Sequence, residues 1–194
     1  MPYKDKQRQK EAQKKHYLKN KDKYREGIKS RRRRNNEYVY SLKTRCCECG
    51  IDDKICLDFH HVNGKSNTVS QLIRNATTIE KLQIEISKCE VICGNCHRKR
   101  HEPLIIEDGS NWRNFGERRI KKRRWFIDFI KLSKCKACSE DDSRCLEFHH
   151  LEDKRFTIAY LLASGHSLDY LKEEIDKCEV LCTNCHRKEH RNVV

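Results

Sequence analysis

The chain has few hydrophobic residues and no long apolar segment. Hydrophobic residues make up 36% of its 194 positions, and the mean hydropathy is −0.97. No stretch reaches the roughly 20 consecutive apolar residues that a membrane-spanning helix needs. The N-terminus, Met-Pro-Tyr-Lys-Asp-Lys, lacks the apolar segment of a signal peptide. These absences argue against a membrane-spanning segment and against secretion, and we expect no membrane partner. We therefore expect an intracellular protein, in the cytoplasm of a bacterial or phage-infected cell or in a nucleus.

Acidic residues are scarce at the start of the chain. Residues 1–45 contain 17 Lys and Arg residues against 5 Asp and Glu residues, whereas residues 135–194 carry a net charge of −3. The composition of this N-terminal arm favours a helix. A segment of such charge is suited to follow the phosphates of a nucleic acid, although a solvated tail without a partner is the simpler alternative.

Cysteine, by contrast, is abundant, and 12 of its 13 residues follow a repeated pattern, in which only Cys47 has no counterpart. Two close pairs of thiols form the tetrahedral set that Zn²⁺ prefers, so metal binding is favoured over disulfides. Reduced thiols require a reducing compartment. Each copy of the pattern spans only about 60 residues, and a folded unit of that size would gain folding free energy from a structural metal. We predict two structural zinc ions, one held by Cys46, Cys49, Cys93 and Cys96, and the other by Cys135, Cys138, Cys182 and Cys185.

The repeat extends beyond the cysteines. Residues 46–101 align with 135–190 without a gap, and nearly half of the 56 positions are identical. Within each copy the patterning predicts a strand that ends at a pair of histidines, an amphipathic helix from Ile79, a strand over 89–93 and a helix from Asn95. Thr77 with Glu80 predicts a capping box, and Ser167 an N-cap. Short apolar lead-in helices are predicted at 37–43 and 125–132.

Four histidines occupy matched positions in both copies. The first two are adjacent at the end of the predicted strand, and the last two lie four residues apart on one helix face. Four imidazoles indicate a metal site with one additional free imidazole, whereas the structural alternative is a second zinc ion or buried, hydrogen-bonded histidines. These residues are His60, His61, His97 and His101 in the first copy, and His149, His150, His186 and His190 in the second.

The motif Leu-x-Phe-His-His, followed by Cys-x-x-Cys-His-Arg-Lys-x-His, resembles the zinc-containing HNH endonucleases of the ββα-metal fold. The resemblance covers both copies, 112 of the 194 residues. It implies an α+β fold with two tandem zinc-stabilised ββα-metal modules. Together with the composition, it predicts a basic helical arm at 1–37, a first module at 38–107, a basic linker at 108–124 and a second module at 125–194.

The resemblance also implies a role for each histidine. His61 and His150 would be general bases that activate water, while the other six would bind a catalytic divalent cation, Mg²⁺, Mn²⁺, Ni²⁺ or Co²⁺. His101 and His190 could instead contact the scissile phosphate. Each Cys-x-x-Cys pair is called a zinc knuckle. Basic residues after the second knuckle of each copy would contact DNA phosphates, and we expect the same of the consecutive arginines in the arm. These basic residues are Arg98, Lys99, Arg187 and Lys188, with Arg31, Arg32, Arg33 and Arg34 in the arm.

The chain departs from the family at the asparagine that gives the family its middle letter. Lys88-Cys89 and Lys177-Cys178 occupy that region, so Asn95 and Asn184 are only candidates for the orienting residue. Asp58 and Glu147 could orient an imidazole or simply face solvent. Four repeated cysteines outside the Cys-x-x-Cys pairs are expected to be small buried thiols: Cys56, Cys89, Cys145 and Cys178. Cys47 could compete with Cys46 as a zinc ligand, but the Cys-x-x-Cys spacing favours Cys46.

These observations predict a metal-dependent endonuclease that acts on double-stranded DNA. Two modules in one chain would form an internal pseudo-dimer, so a monomer could cut both strands. The alternative from another class is a non-catalytic, zinc-ribbon-like protein that binds nucleic acid. An RNA partner is a third possibility that charge does not distinguish.

Overall fold

The computed structural model describes residues 2–101 and 116–190, which form a mixed α/β structure with two two-stranded sheets. In chain order the elements are α1 (Pro2–Lys19), α2 (Lys21–Ser41), β1 (Leu57–His61), α3 (Val69–Arg74), α4 (Ile79–Ile86), β2 (Cys89–Cys93), α5 (Gly94–His101), α6 (Glu117–Leu132), β3 (Leu146–His150), α7 (Ile158–Ala163), α8 (Leu168–Ile175), β4 (Cys178–Cys182) and α9 (Thr183–Glu189). None of the helices in these ranges is long and apolar enough to cross a membrane.

The described residues divide into two compact units. One comprises residues 2–43 and 61–90, and the other comprises 44–60, 91–101 and 116–190. The second unit therefore holds both sets of zinc knuckles and the whole described part of the second repeat.

The first unit joins the basic arm to the helices α3 and α4. As the composition predicts, the arm is helical, and it consists of α1 and α2. Asn35 is fully buried, and its Nδ2 donates to the carbonyl of Thr77 at 2.8 Å. Arg32 Nε donates to the carbonyl of Arg74 at 2.7 Å. The C-terminal half of α2 is thus fixed to the end of α3.

The helix α6 has the same role in the second unit. Arg119 donates to the carbonyl of Ala163 at 2.7 Å, and Lys122, which is 2% exposed, donates to the carbonyl of His166 at 2.9 Å. The acceptors lie 89 residues after their counterparts in the first unit, but the donors lie only 87 residues after theirs. The repeat therefore includes the preceding helix, with a shift of two residues.

This finding bears on the predicted domain boundaries. The predicted lead-in segments at 37–43 and 125–132 are the C-terminal parts of α2 and α6 rather than separate helices. The boundaries at 37/38 and 124/125 thus fall inside continuous helices. Part of the predicted linker, 108–115, lies outside the described residues.

The short strands form as the alternating pattern predicts. In the second repeat β3 pairs antiparallel with β4, and Leu146 lies opposite Cys182 and His150 opposite Cys178. β1 and β2 form the corresponding sheet of the first repeat. Each β-strand runs directly into a histidine pair or a zinc knuckle, so the sheet sets the positions of both kinds of ligand.

Helix ends were predicted with mixed success. Ser167 caps α8 by accepting from the backbone N–H of Tyr170, as predicted. The capping box predicted at Thr77 is wrong, because α4 begins after Thr78 and no side chain caps it. A capping box is present instead at α3, where Thr68 and Gln71 bond each other's backbone N–H groups.

Candidate metal centres

Two groups of four cysteines have the spacing of zinc ligands. In each group the Sγ atoms lie within 4.8 Å of one another, and the bridging pairs, Cys49 with Cys93 and Cys138 with Cys182, are 3.6 Å apart. Tetrahedral ligands at 2.3 Å from Zn²⁺ would lie about 3.8 Å apart, whereas a disulfide bond needs about 2 Å. Each group could therefore hold a structural zinc ion, as the cysteine pattern predicts.

One cysteine in each group is favoured as a thiolate, whereas burial raises the pKa of others such as Cys49 and Cys138. Burial raises the pKa of the Cys46 thiol, but hydrogen bonds from the backbone N–H groups of Cys49 and Cys93 outweigh it and hold the pKa at about 6. In the second repeat the same balance brings the pKa of Cys135 to about 7. The turns that supply such donors need a residue with positive φ, which is Gly50 in one knuckle, at 77°.

The cysteines outside the knuckle pairs lie apart from these groups. Burial raises the pKa of Cys56 to about 11 and that of Cys145 to about 12, so both remain neutral thiols. Each donates a hydrogen bond to a backbone carbonyl, Cys56 to Asn184 and Cys145 to Asn95. This agrees with the predicted structural role.

Three histidines from each repeat converge on a common point. Their ring nitrogens lie within 4.8 Å of one another. His101 Nε2 is 3.1 Å from His60 Nδ1, and His190 Nε2 is 3.1 Å from His186 Nε2. Imidazole nitrogens about 2.0–2.1 Å from one tetrahedral ion would be about 3.3 Å apart. The donor set therefore fits a divalent metal and leaves positions for water or substrate. The clusters are His60, His97 and His101, and His149, His186 and His190.

A carboxylate orients one histidine of each cluster. His97 Nδ1 lies 3.4 Å from Asp58 Oδ2, and His186 Nδ1 bonds Glu147 Oε2. An imidazole that donates Nδ1–H to a carboxylate directs Nε2 towards a metal. Burial alone would raise the pKa of Asp58, but His97 and a neighbouring arginine lower it to about 2. Asp58 and Glu147 thus lie where an orienting role requires.

The fourth histidine of the second repeat has a separate partner. His150 Nε2 lies 3.1 Å from Glu174 Oε1, and the side chains are 9% and 2% exposed. The same carboxylate accepts from the backbone N–H groups of Arg155 and Phe156, and Lys177 donates to its other oxygen at 3.0 Å. Burial raises the pKa of Glu174, but these donors lower it to about 2.

The first repeat contains the corresponding network around His61 and Glu85. His61 Nε2 lies 2.9 Å from Glu85 Oε1, and Lys88 Nζ donates to Oε2 at 2.9 Å. Hydrogen bonds from the backbone of Asn67 and from Lys88 lower the pKa of Glu85 to about 2. Sequence reasoning missed both glutamates. The available signal was their identity at matched positions, together with that of the lysines three residues later.

The predicted orienting asparagines and phosphate-binding residues lie outside the histidine clusters. Asn95 and Asn184 bond each other's backbone N–H groups where α5 meets α9, so they do not orient a histidine. Four basic residues predicted to contact phosphate form ion pairs between the repeats: Arg98 with Glu147, Lys99 with Glu140, Arg187 with Asp58, and Lys188 with Asp53. In the arm, Arg31, Arg32, Arg33 and Arg34 are all exposed.

Comparison with protein-family models, with curated proteins and with solved structures found no match to this chain.

Proposed function

We propose that this protein is a metal-dependent DNA endonuclease with two HNH-like modules in one chain. The observation that carries the proposal is the arrangement in the second repeat. There, His149 near the end of β3 joins a three-histidine cluster, and the next residue, His150, is bound to the buried carboxylate of Glu174. The first repeat has the same residue types at all of these positions.

The three-histidine clusters would hold the catalytic cation. His149 is half-buried, and burial together with the neighbouring His186 and His190 lowers its pKa, which favours the neutral form that binds metal. Imidazole ligands suit Mn²⁺, Co²⁺, Ni²⁺ and Zn²⁺ better than Mg²⁺. A bound ion would neutralise charge on the phosphate and on the leaving oxygen.

The fourth histidine would serve as the general base. Donation of Nε2–H to Glu174 leaves Nδ1 of His150 with its lone pair, so that nitrogen can take a proton from water. The water oxygen then forms a bond to phosphorus while the bond to the leaving oxygen breaks. Glu174 keeps the imidazole in this tautomer. Lys177 and two backbone N–H groups hold the carboxylate in turn.

The basic arm would supply most of the affinity for DNA. Its net charge of +12 over residues 1–45 contrasts with the acidic second repeat. Arg33 and Arg34 remain exposed on α2 and can reach phosphates, although Arg33 also pairs with Glu37 at 2.9 Å. Contacts of this kind bind DNA without reading its sequence and weaken as salt increases.

The test is conversion of supercoiled plasmid to nicked or linear DNA by the zinc-loaded protein. We expect conversion with Mn²⁺, Co²⁺ or Ni²⁺, and none with EDTA. The double variant His61→Ala, His150→Ala should bind the plasmid as tightly as the wild type without cutting it. Binding without cleavage by the wild type under every metal would support a zinc-ribbon-like binding protein instead.

A further inference from the structure

Each repeat contributes an arginine to the carboxylate that orients the other repeat's histidine. Asp58 Oδ2 lies 3.4 Å from His97 of its own repeat and accepts a hydrogen bond of 2.8 Å from Arg187 of the other. In reverse, Glu147 bonds His186 of its own repeat and accepts a hydrogen bond from Arg98 of the first. In both repeats, a series of contacts connects an imidazole to a carboxylate and that carboxylate to an arginine of the opposite repeat.

The arginines are held in place by contacts with backbone carbonyls. Arg187 Nη1 donates to the carbonyl of Cys56 at 3.1 Å, two residues before Asp58, and Arg98 Nη1 donates to the carbonyl of Arg144 at 3.2 Å. Each guanidinium therefore bridges a carboxylate and the start of the neighbouring strand. Only the planar fork of arginine can make both contacts at once.

The packing of α5 on α9 holds each arginine near the carboxylate of the other repeat. The backbone N–H of Asn95 donates to the side-chain oxygen of Asn184 at 3.3 Å, and the backbone N–H of Asn184 donates to that of Asn95 at 3.1 Å. Both residues are buried. These reciprocal bonds relate the helices by an approximate two-fold axis, and Arg98 and Arg187 each contact the opposite repeat.

A half-buried carboxylate needs such a partner to keep a fixed orientation. The side chains of Asp58 and Glu147 are 30% and 23% exposed. An ionised carboxylate in a fixed position keeps the proton on Nδ1 of the imidazole and strengthens Nε2 as a ligand.

We propose that Arg187 is a positioning residue of the first three-histidine centre and Arg98 of the second, so that neither centre is complete without the other repeat. This inference rests on the proposed metal binding by the histidine clusters, but it does not depend on DNA cleavage. A consequence is that the two centres are coupled through the contact between the repeats.

The test measures Co²⁺ binding by the zinc-loaded full chain in which one centre has been removed. Zn²⁺ binds more tightly than Co²⁺, so the zinc knuckles stay occupied during the titration. In the His149→Ala, His186→Ala background only the first centre remains. There, Arg187→Ala should weaken Co²⁺ binding about tenfold, the lower end of the effect of losing an outer contact. Arg98→Ala should change it less than twofold.

In a second background that lacks the first centre, we expect the effects of the two arginine substitutions to be reversed. With His60→Ala and His97→Ala, only the second centre remains, and Arg98→Ala should now weaken Co²⁺ binding while Arg187→Ala should not. Lys188→Ala is the matched control in both backgrounds. This lysine lies next to Arg187 on α9 and also pairs across the repeats, but with Asp53 at 3.1 Å rather than with Asp58.

Native mass spectrometry separates these effects from misfolding, because a folded variant retains two zinc ions. If Arg187→Ala loses zinc, Arg187→Lys replaces it, and this variant should still weaken the first centre more than Lys188→Ala does. Equal weakening of both centres, or weakening of the arginine's own centre, would overturn the proposal. No Co²⁺ binding in either parent background would overturn it together with the proposed function.

Discussion

At the scale of single residues, the buried glutamates are the most informative side chains outside the metal clusters. Glu174 is 2% exposed in its side chain and accepts four hydrogen bonds, including those from His150 and Lys177. Such saturation stabilises the ionised form and fixes its position. Glu174 therefore sets the direction of the His150 ring, and it also ties the loop after β3 to α8.

We predict that Glu174→Gln lowers cleavage at the second site by about a hundredfold to a thousandfold, within the range expected for general-base catalysis. The amide still fills the space, but it cannot accept all four donors, so the imidazole loses its fixed tautomer. The measurement is the cleavage rate in a His61→Ala background, where only the second site acts. Glu173→Gln, at an exposed neighbouring position, is the control and should cut at the parent rate.

The same glutamate should make stability depend on pH. Its folded pKa of about 2 lies below the ordinary value, so its contribution is complete above about 4.3 and disappears as the pH falls towards 2. The difference in unfolding free energy between wild type and Glu174→Gln should therefore be constant from pH 7 to 5 and decrease below pH 4. A difference that grows on acidification would contradict the ionised assignment.

At the scale of elements, the zinc knuckles connect the sheets to the helices. Cys93 is the last residue of β2 and lies within the buried core around Leu57 and Ile92. Because Cys93 is both a core residue and a candidate zinc ligand, zinc binding and folding of each repeat should be coupled.

We expect Cys93→Ser to remove one zinc ion and unfold the first knuckle, while Cys89→Ser retains both ions. Cys89 lies at the other end of the same strand, and its sulfur donates to the carbonyl of Glu85 rather than approaching the cluster. Native mass spectrometry counts the ions and amide hydrogen exchange reports the unfolding. Two retained zinc ions in Cys93→Ser would contradict the assignment of this ligand.

The contact between α5 and α9 requires glycine at one position where the repeats differ. A Cβ atom on Gly94 would lie 2.7 Å from Thr183 Cγ2 and 3.2 Å from Asn184 Oδ1. Thr183 occupies the equivalent position in the second repeat. A Cβ atom at position 94 therefore cannot be accommodated beside threonine at position 183 without a shift of one of the two.

Gly94→Ala should accordingly destabilise the protein by about 1–3 kcal/mol through overpacking. Thr183→Ala in the same chain should recover part of that loss, since it removes the nearest atom. Thermal unfolding of both single variants and the double variant measures the coupling. Gly27→Ala is the control, because open space surrounds this helical glycine and the substitution should stabilise α2. Additive effects of Gly94→Ala and Thr183→Ala would show that no contact exists.

Local signals made much of the fold predictable. The strands, the helices α4 and α5 and the zinc knuckles follow from alternation, helical spacing and paired cysteines. The helices α3 and α7 were not predicted, because six residues give too short a pattern. The exchange of Arg98 and Arg187 could not be predicted either. Arginine after a knuckle also fits phosphate binding, and only the packing of the repeats brings it to a carboxylate.

At the scale of the whole molecule, the duplication gives one chain two candidate catalytic sites. The second repeat is acidic, and Glu189 replaces the Arg100 of the first. If both sites act, each should cut one strand, and the basic arm should serve both. If the second repeat has become a DNA-reading surface, only His61 should matter for cleavage.

The most direct test is strand-specific end labelling of a mapped DNA target cut by the wild type and by His61→Ala, His150→Ala and the double variant. Our account predicts that the wild type cuts both strands, that each single variant nicks one strand and that the two nick opposite strands. The double variant should cut neither. Cleavage by the double variant at the wild-type rate would contradict the assignment of the general bases. If His150→Ala still made both cuts while His61→Ala made none, the claim of two active sites would be wrong.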